Sequence, residues 1–253
     1  TAEKKVFPLS HFKNFTTTQW TAFWSQLKKD LHASSLIIKP TDDGCSAGIC
    51  RISSAKDLQI YITFANKNAL EIPAGTLTDQ HGIIEMPSQK MQHILFEKFI
   101  ETDKPRVINN KLIWNKKTNW IEVTTGVIGH AKKLHALSPS LTVSHSHVLS
   151  LEEKFQGGTG VNITPPPQPY VTKKALDNAK KRIEIAANAL GIEGYARLDA
   201  FMHTQTGEVI IIEANTLPAL TPSTVIFHQS LEENPPIYPR QFLEKLIELG
   251  KNS

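Results

Sequence analysis

The chain has 253 residues, 40% of them hydrophobic, and 28 Lys+Arg against 24 Asp+Glu leave a net charge of +4. That composition supports one large core or two small ones. The basic excess is too modest and dispersed for an independent nucleic-acid arm, and no run reaches the ~18 apolar residues a membrane helix needs. The opening "TAEKKVFPLS" has no apolar h-region, so no signal peptide is expected there. It also lacks Met, which leads to the expectation that the chain is a piece of something longer. Cys45 and Cys50 have no matching ligand set, so neither a zinc site nor a disulfide framework is expected, and a reducing compartment fits.

In chain order, "TTTQWTAFWSQLKKDLHAS" places Trp20, Phe23, Trp24, Leu27 and Leu31 on one helical face behind threonines suited to an N-cap. "SLIIK" reads as a short buried strand, "PTDDGCSAG" as a loop and "CRIS" as another strand. "SAKDLQIYITFANKNAL" reads as a helix started by Ser, and "HILFEKFIE" as a strand. "RVINNKLIW" is expected to form a hairpin turning at Asn109–Asn110, and "WIEVTTGVIG" a further strand. Residues 130–170 look irregular and end in the Gly/Pro-rich "QGGTGVNITPPPQP", the kind of long loop that is usually functional or mobile. "TKKALDNAKKRIEIAANALG" is an amphipathic helix closed by Gly191, and "PRQFLEKLIELG" a last helix. The mixture gives an α+β or α/β chain with a joint near residue 98.

The most informative stretch is "GYARLDAFMHTQTGEVIIIEANTLPALTPST". Two runs of strand-forming residues flank "TQTG", which is turn chemistry. If the turn centres on Thr206, Arg197 faces Asn215 and Asp199 faces Glu213, and alternation puts all four on one sheet face. Two carboxylates about 5 Å apart repel unless something lies between them. A divalent cation with an added amide ligand is one answer, and an oxygen-only set favours Mg²⁺ or Mn²⁺. A polar outer face with a salt-bridged Arg is the other.

Elsewhere, Lys39 ends a strand before a loop bracketed by Gly44 and Gly48, where backbone N–H groups can approach an anion. An ordinary exposed turn has the same look. Glu97 closes "HILFE" and Glu122 sits within "WIEVTTG"; each carboxylate is either salt-bridged or holds a ligand's hydroxyl or amino groups. Lys154 follows two glutamates, which also suits a solvated patch, and His145 and His147 read as a metal pair or as loop histidines.

Together these pieces resemble the D-alanine–D-alanine ligases of the ATP-grasp superfamily. The long stretch above is similar to their R-x-D … E-x-N-T-x-P-G signature, "IIKPTDDGCSAGI" resembles their V-K-P … G-S-S-x-G segment, and "LSLEEKFQGGTGVNITPPP" resembles their mobile ω-loop. The resemblance implies an α+β ATP-grasp fold with a central lobe over 1–97 and a C-terminal lobe over 98–253, gripping ATP between them. Asp199, Glu213 and Asn215 would hold Mg²⁺ (or Mn²⁺), and Arg197 would stabilise the transferring phosphoryl. Lys39 and the backbone of Gly44, Cys45, Ser46 and Gly48 would contact the phosphates, with Glu97 and Glu122 at the adenosine. Lys154 would reach the γ-phosphate, and Ser223 or Thr224 the acceptor carboxylate. The implied activity joins two D-alanines through an acyl phosphate for peptidoglycan precursors. The implied location is the cytoplasm, or the stroma of a plastid in a plant or alga. An N-terminal substrate domain of the parent chain is the expected partner; a homodimer is compatible, and neither nucleic acid nor membrane is expected. Departures are Ala219 at the signature's Gly and Phe155 where dipeptide-forming members carry Tyr, which raises D-lactate as an acceptor. The rival expectation is a degenerate ATP-grasp module with a binding or scaffolding role.

Overall fold

The computed structural model describes residues 1–42, 46–109, 111–130, 133–143 and 161–251. The chain divides into two compact units, Ala2–Phe99 and Ile100–Ser253, the latter counted with Thr1.

The first unit is a four-stranded antiparallel sheet packed against two helices. Its strands are β1 (Lys4–Pro8), β2 (Leu36–Pro40), β3 (Cys50–Ile52) and β6 (His93–Lys98), in the order β1-β6-β2-β3. The short β4 (Glu71–Ile72) and β5 (Ile84–Glu85) pair separately. Helix α1 (Thr17–Asp30) begins in a capping box: Thr16 Oγ1 accepts from Gln19 N, and Gln19 Oε1 accepts from Thr16 N. Ser54 caps α2 (Ala55–Asn66) through Asp57 N. Trp20, Trp24 and Leu27 of α1 and Leu58, Tyr61 and Ile62 of α2 enclose Leu36, Ile38, Ile94 and Phe96 of the sheet. The expected aromatic stripe of α1 is thus a core face. Strand β1 went unread in the sequence; it is an edge strand carrying Pro8, a place where proline does not break a ladder.

The second unit is built around β9 (Trp120–His130), which pairs along ten residues with β13 (Gly194–His203). Its sheet runs β12-β11-β9-β13-β14, where β11 is Ser140–Val143, β12 is Val161–Ile163 and β14 is Val209–Asn215; β10 (Lys133–Ala136) pairs with the far end of β9. The region expected to be irregular therefore holds three strands among its described residues. Each has only three or four residues, too short for alternation to be read, and takes its conformation from pairing to β9 or to a neighbour. The hairpin β7 (Arg106–Ile108) and β8 (Lys111–Ile113) forms as expected, with Asn109 in the left-handed region at φ 49°.

One face of this sheet is covered by α3 (Lys173–Ala189), capped by Thr172 and ended by Gly191 at φ +67°. Ala175 and Ala179 meet Ile121, Val123, Ala200 and Met202, while Ile183 and Ala187 meet Val127, Ala196 and Leu198. The other face is apolar only at one end, where α4 (Val225–Leu231) and α5 (Pro239–Lys251) pack Ile226, Phe227 and Phe242 against Ile128 and Leu137. The remainder of that face carries the polar side chains.

Candidate functional site

The hairpin β13–β14 sets the site. Its ladder pairs Arg197 with Asn215 and Asp199 with Glu213, the expected register. The route to that register differs from the one expected. Met202 pairs with Val209 and His203 N donates to Glu208 O, so the turn centre lies between Gln205 and Thr206, with Gly207 at φ +69°. Beyond Asp199 the ladder shifts so that Ala200 faces Ile211, which leaves Ile212 as an extra residue. The bulge offsets the turn by one residue and returns both carboxylates to opposite positions.

The four side chains form one hydrogen-bonded set. Arg197 donates from Nε and Nη2 to the two oxygens of Asp199, both at 3.2 Å. Asn215 Nδ2 donates to Asp199 Oδ2 at 3.1 Å and to Glu213 Oε1 at 3.3 Å. A fifth member comes from β9, whose Thr124 pairs with Asp199 and donates from Oγ1 to Oδ1 at 2.5 Å. Thr124 went unread, although it stands two residues beyond Glu122 and so on the same strand face. Glu122 faces Phe201 one step further along that face.

This donor set fits a hard divalent cation. Two carboxylates and an amide converge from neighbouring strands, and their donors are oxygens apart from the amide nitrogen. Turning the Asn215 amide about its terminal bond exchanges nitrogen for oxygen, so the same rotamer well serves either a carboxylate or a cation. Among the described residues no group of three His, Cys, Asp or Glu side chains gathers, here or elsewhere, so the third protein donor of this set is the Asn215 amide.

In the first unit Lys39 Nζ and Glu97 Oε2 form an ion pair at 2.6 Å, each side chain about one-fifth exposed. The two residues expected at opposite ends of a nucleotide thus neutralise one another. Gly48, at φ +67°, donates its N–H to Glu85 O at 2.7 Å, and its carbonyl accepts from the buried Tyr61 hydroxyl at 2.7 Å. Its amide is committed inside the unit, so Gly48 anchors the loop. Ser46 also has positive φ, 62°. Gly44, Cys45, Lys154, Phe155, His145 and His147 lie outside the described residues. Ser223 is exposed, and Thr224 is the N-cap residue of α4 without a side-chain cap. Ala219 is not among the residues of positive φ, so it bears no left-handed strain.

Other acids are occupied structurally. Asp103 accepts from Lys117 N, Thr118 N, Thr118 Oγ1 and Trp114 Nε1. Burial opposes its ionisation, but these bonds outweigh burial and hold its carboxyl below the ordinary value. Asp57 is held down likewise, burial being outweighed by bonds from Thr78, Ser54 and Ser53. At Glu233 burial is outweighed by His135 and Lys180. Burial pushes the Cys50 thiol up, which makes it inert.

The family described as "D-ala D-ala ligase C-terminus" matches residues 82–248. The chain belongs to this family. It is 28% identical over 155 residues to the D-alanine–D-alanine ligase of Carboxydothermus hydrogenoformans, covering 61% of this chain and 46% of the relative. It is 24% identical over 213 residues to that of Ruminiclostridium cellulolyticum, covering 84% and 45%. The chain thus spans about half the length of the curated relatives it matches. Among solved structures, the VanG D-Ala:D-Ser ligase of Enterococcus faecalis superposes at TM-score 0.61 with 19% identity, covering 98% of this chain and 56% of that one. The D-alanine–D-alanine ligase of Bacillus anthracis complexed with ATP superposes at 0.57 with 14% identity, covering 100% and 60%. These likenesses establish the α+β ATP-grasp fold of the D-alanine–D-alanine ligases. Among the described residues no helix is long and apolar enough to cross a membrane.

Proposed function

We propose that this chain supplies the ATP- and metal-binding part of a ligase that joins two D-alanines. The observation that carries the reading is the polar set on one sheet face: Arg197, Asp199, Glu213, Asn215 and Thr124 within one hydrogen-bonded group, in a chain of this family.

Asp199, Glu213 and Asn215 hold Mg²⁺ or Mn²⁺ in this reading, and the bound ion supplies charge neutralisation at the phosphates. Arg197 is the fixed cation beside it. Its guanidinium is always charged and presents forked donors, so it is suited to the oxygens of a transferring phosphoryl group. Lys39 exchanges Glu97 for phosphate, and Glu97 is thereby released to the adenosine. Glu122 meets the ribose hydroxyls, Lys154 the γ-phosphate, and Ser223 or Thr224 the acceptor carboxylate. The γ-phosphoryl passes to the carboxylate of the first D-alanine, giving an acyl phosphate and ADP. The amine of the second attacks the acyl carbon, phosphate leaves, and the nitrogen gives up its proton. The proposed location is the cytoplasm. A substrate-binding domain of the same parent chain supplies the first D-alanine, and a homodimer is its proposed assembly.

Ala219 and the rival of a degenerate module meet the same structural facts. An unstrained Ala219 and an intact polar set favour a working site. Calorimetric titration with Mg-ATP tests the reading. Asp199→Asn and Glu213→Gln are expected to weaken binding strongly with the fold retained, and unchanged affinity in both would sink it. Mass spectrometry of products from the parent protein, offered D-alanine, D-serine and D-lactate together, decides the acceptor.

A further inference from the structure

One buried side chain on the same sheet face as the polar set is unexplained by packing alone. Gln229 of α4 is fully buried, with 0% exposure. Its Oε1 accepts from Gly126 N at 2.7 Å, and its Nε2 donates to Thr124 O at 2.8 Å and to Ser140 Oγ at 3.0 Å. Both ends of the amide are therefore used, and they grip β9 on the two sides of Thr125. The grip falls in the gap on that flank between the pairing of β9 with β11 at Thr124 and with β10 from Val127, where Leu137 N donates to Gly126 O at 2.8 Å but the N–H of Gly126 has no backbone acceptor among the described residues. A side-chain amide takes the place of a neighbouring strand there. Gly126 is fitted to it, because a Cβ at that position would lie 2.9 Å from Gln229 Oε1 and 3.0 Å from Leu137 Cδ1.

The residue whose carbonyl Gln229 holds is the one whose hydroxyl holds Asp199, at 2.5 Å. We infer that Gln229 is a positioning residue for the metal face: by fixing the backbone of Thr124 it aims that hydroxyl at Asp199 and sets the carboxylate's orientation toward a cation. This rests on the metal–nucleotide reading above. The cation-facing carboxylate takes its outer support from Thr124, and Thr124 takes its own from α4. Outer partners of this kind orient the groups that meet a metal.

The experiment is a double-mutant cycle read by Mn²⁺ binding in the presence of ATP, followed by electron paramagnetic resonance, with folding checked by circular dichroism. Gln229→Met keeps the volume and removes the amide; Thr124→Val removes the hydroxyl. Each is expected to weaken Mn²⁺ binding by about tenfold. The double variant is expected to lose no more than either single one, since Gln229 acts through Thr124. Additive losses, or Mn²⁺ affinity unaltered by Gln229→Met, overturn the inference. If Gln229→Met does not fold, Gly126→Ala displaces the amide from the other side. It is expected to weaken Mn²⁺ binding in the wild-type background and not in Thr124→Val; equal effects in both overturn the inference. Wild-type protein that binds no Mn²⁺ with ATP overturns the nucleotide reading itself, whereas wild-type binding with additive losses overturns only the role of Gln229.

Discussion

Asp103 and Asp199 lie in the same unit and are both tied into hydrogen-bond networks, yet the networks differ in kind. Asp103 is 6% exposed and accepts from two backbone N–H groups, an indole and a hydroxyl. Its partners cannot move without unfolding the 114–120 segment. Asp199 is held entirely by side chains, those of Arg197, Asn215 and Thr124. Arginine and asparagine rotamers can turn away at small cost, so Asp199 can exchange its partners for a cation. The backbone donors tie Asp103 to the fold, whereas the side-chain donors of Asp199 can leave it for a cation. Asp57, with Thr78 N, Thr78 Oγ1 and Ser53 N as donors, is of the first kind.

The largest expected effect tests that division through stability. Asp103→Ala strands the buried Trp114 Nε1 and the partly covered Lys117 N and Thr118 N and should cost about 3 kcal/mol, since a buried donor left unpaired costs roughly 1–3 kcal/mol and a partly covered one less. Asp199→Ala unpairs a mostly buried Arg197 but also removes a carboxylate that faces Glu213, and should cost less, about 1–2 kcal/mol. Urea unfolding midpoints decide it; equal losses would erase the distinction.

The comparison reverses when ligand binding is measured. Asp199→Asn should lower Mg-ATP affinity by at least about tenfold, or ~1.4 kcal/mol. Asp103→Asn, in whatever fraction stays folded, should leave that affinity alone. Titration calorimetry on both variants reads the outcome, and a matched loss would place Asp103 in the site.

A third effect is smaller and depends on pH. Asp57, Asp103 and Glu233 all have carboxyls held below their ordinary values in the folded chain. A folded pKa depressed below the unfolded one contributes stability that is present above the unfolded value, about pH 4 for these groups, and is lost as pH falls toward the folded value. Thermal unfolding temperature should therefore hold level down to about pH 5 and drop below about pH 4. The drop should be shallower in Asp103→Asn than in wild type. Parallel profiles would mean that Asp103 is not one of the acids responsible.

Much of the site was legible because strand alternation is a strong rule and the hairpin carries four polar residues against an apolar background. The register at Arg197–Asn215 and Asp199–Glu213 was read from a turn centre half a residue off, and the unread bulge at Ile212 restored it. Local rules gave both helices of the first unit, with Ser54 as the cap of α2 and a threonine as that of α1, where Thr16 takes the role. What was not legible is what depends on distant partners. Strands β10 to β12 are too short to show a period, and β1 is an edge strand five residues long. Gln229 sits in "VIFHQSL", where a polar residue on a short helix gives no hint that β9 lies within reach. The Gly48 amide, expected for an anion, is used by Glu85 O, a contact thirty-seven positions away that no spacing rule predicts.

The smallest expected effect concerns two adjacent threonines on opposite faces of β9. Thr124 Oγ1 meets Asp199, while Thr125 points under α3, is fully buried, and its Oγ1 has no partner among the described residues. Its strand neighbours on that face are Val123 and Val127, both in the core. A hydroxyl in such surroundings costs desolvation without a returning bond. Valine has nearly the same shape and no hydroxyl, so Thr125→Val should stabilise the chain by about 0.5–1 kcal/mol, the scale of one hydrogen bond's net worth. Thr124→Val exchanges the same atoms one residue away and should do the opposite, because it leaves a carboxylate oxygen without its shortest partner. The two variants are matched in sequence, strand and chemistry, and differ only in the face they occupy. Chemical unfolding of the pair should give shifts of opposite sign. A destabilised Thr125→Val would show that its hydroxyl has a bonding partner, such as a buried water, and that this face of β9 is less purely apolar than its neighbours make it.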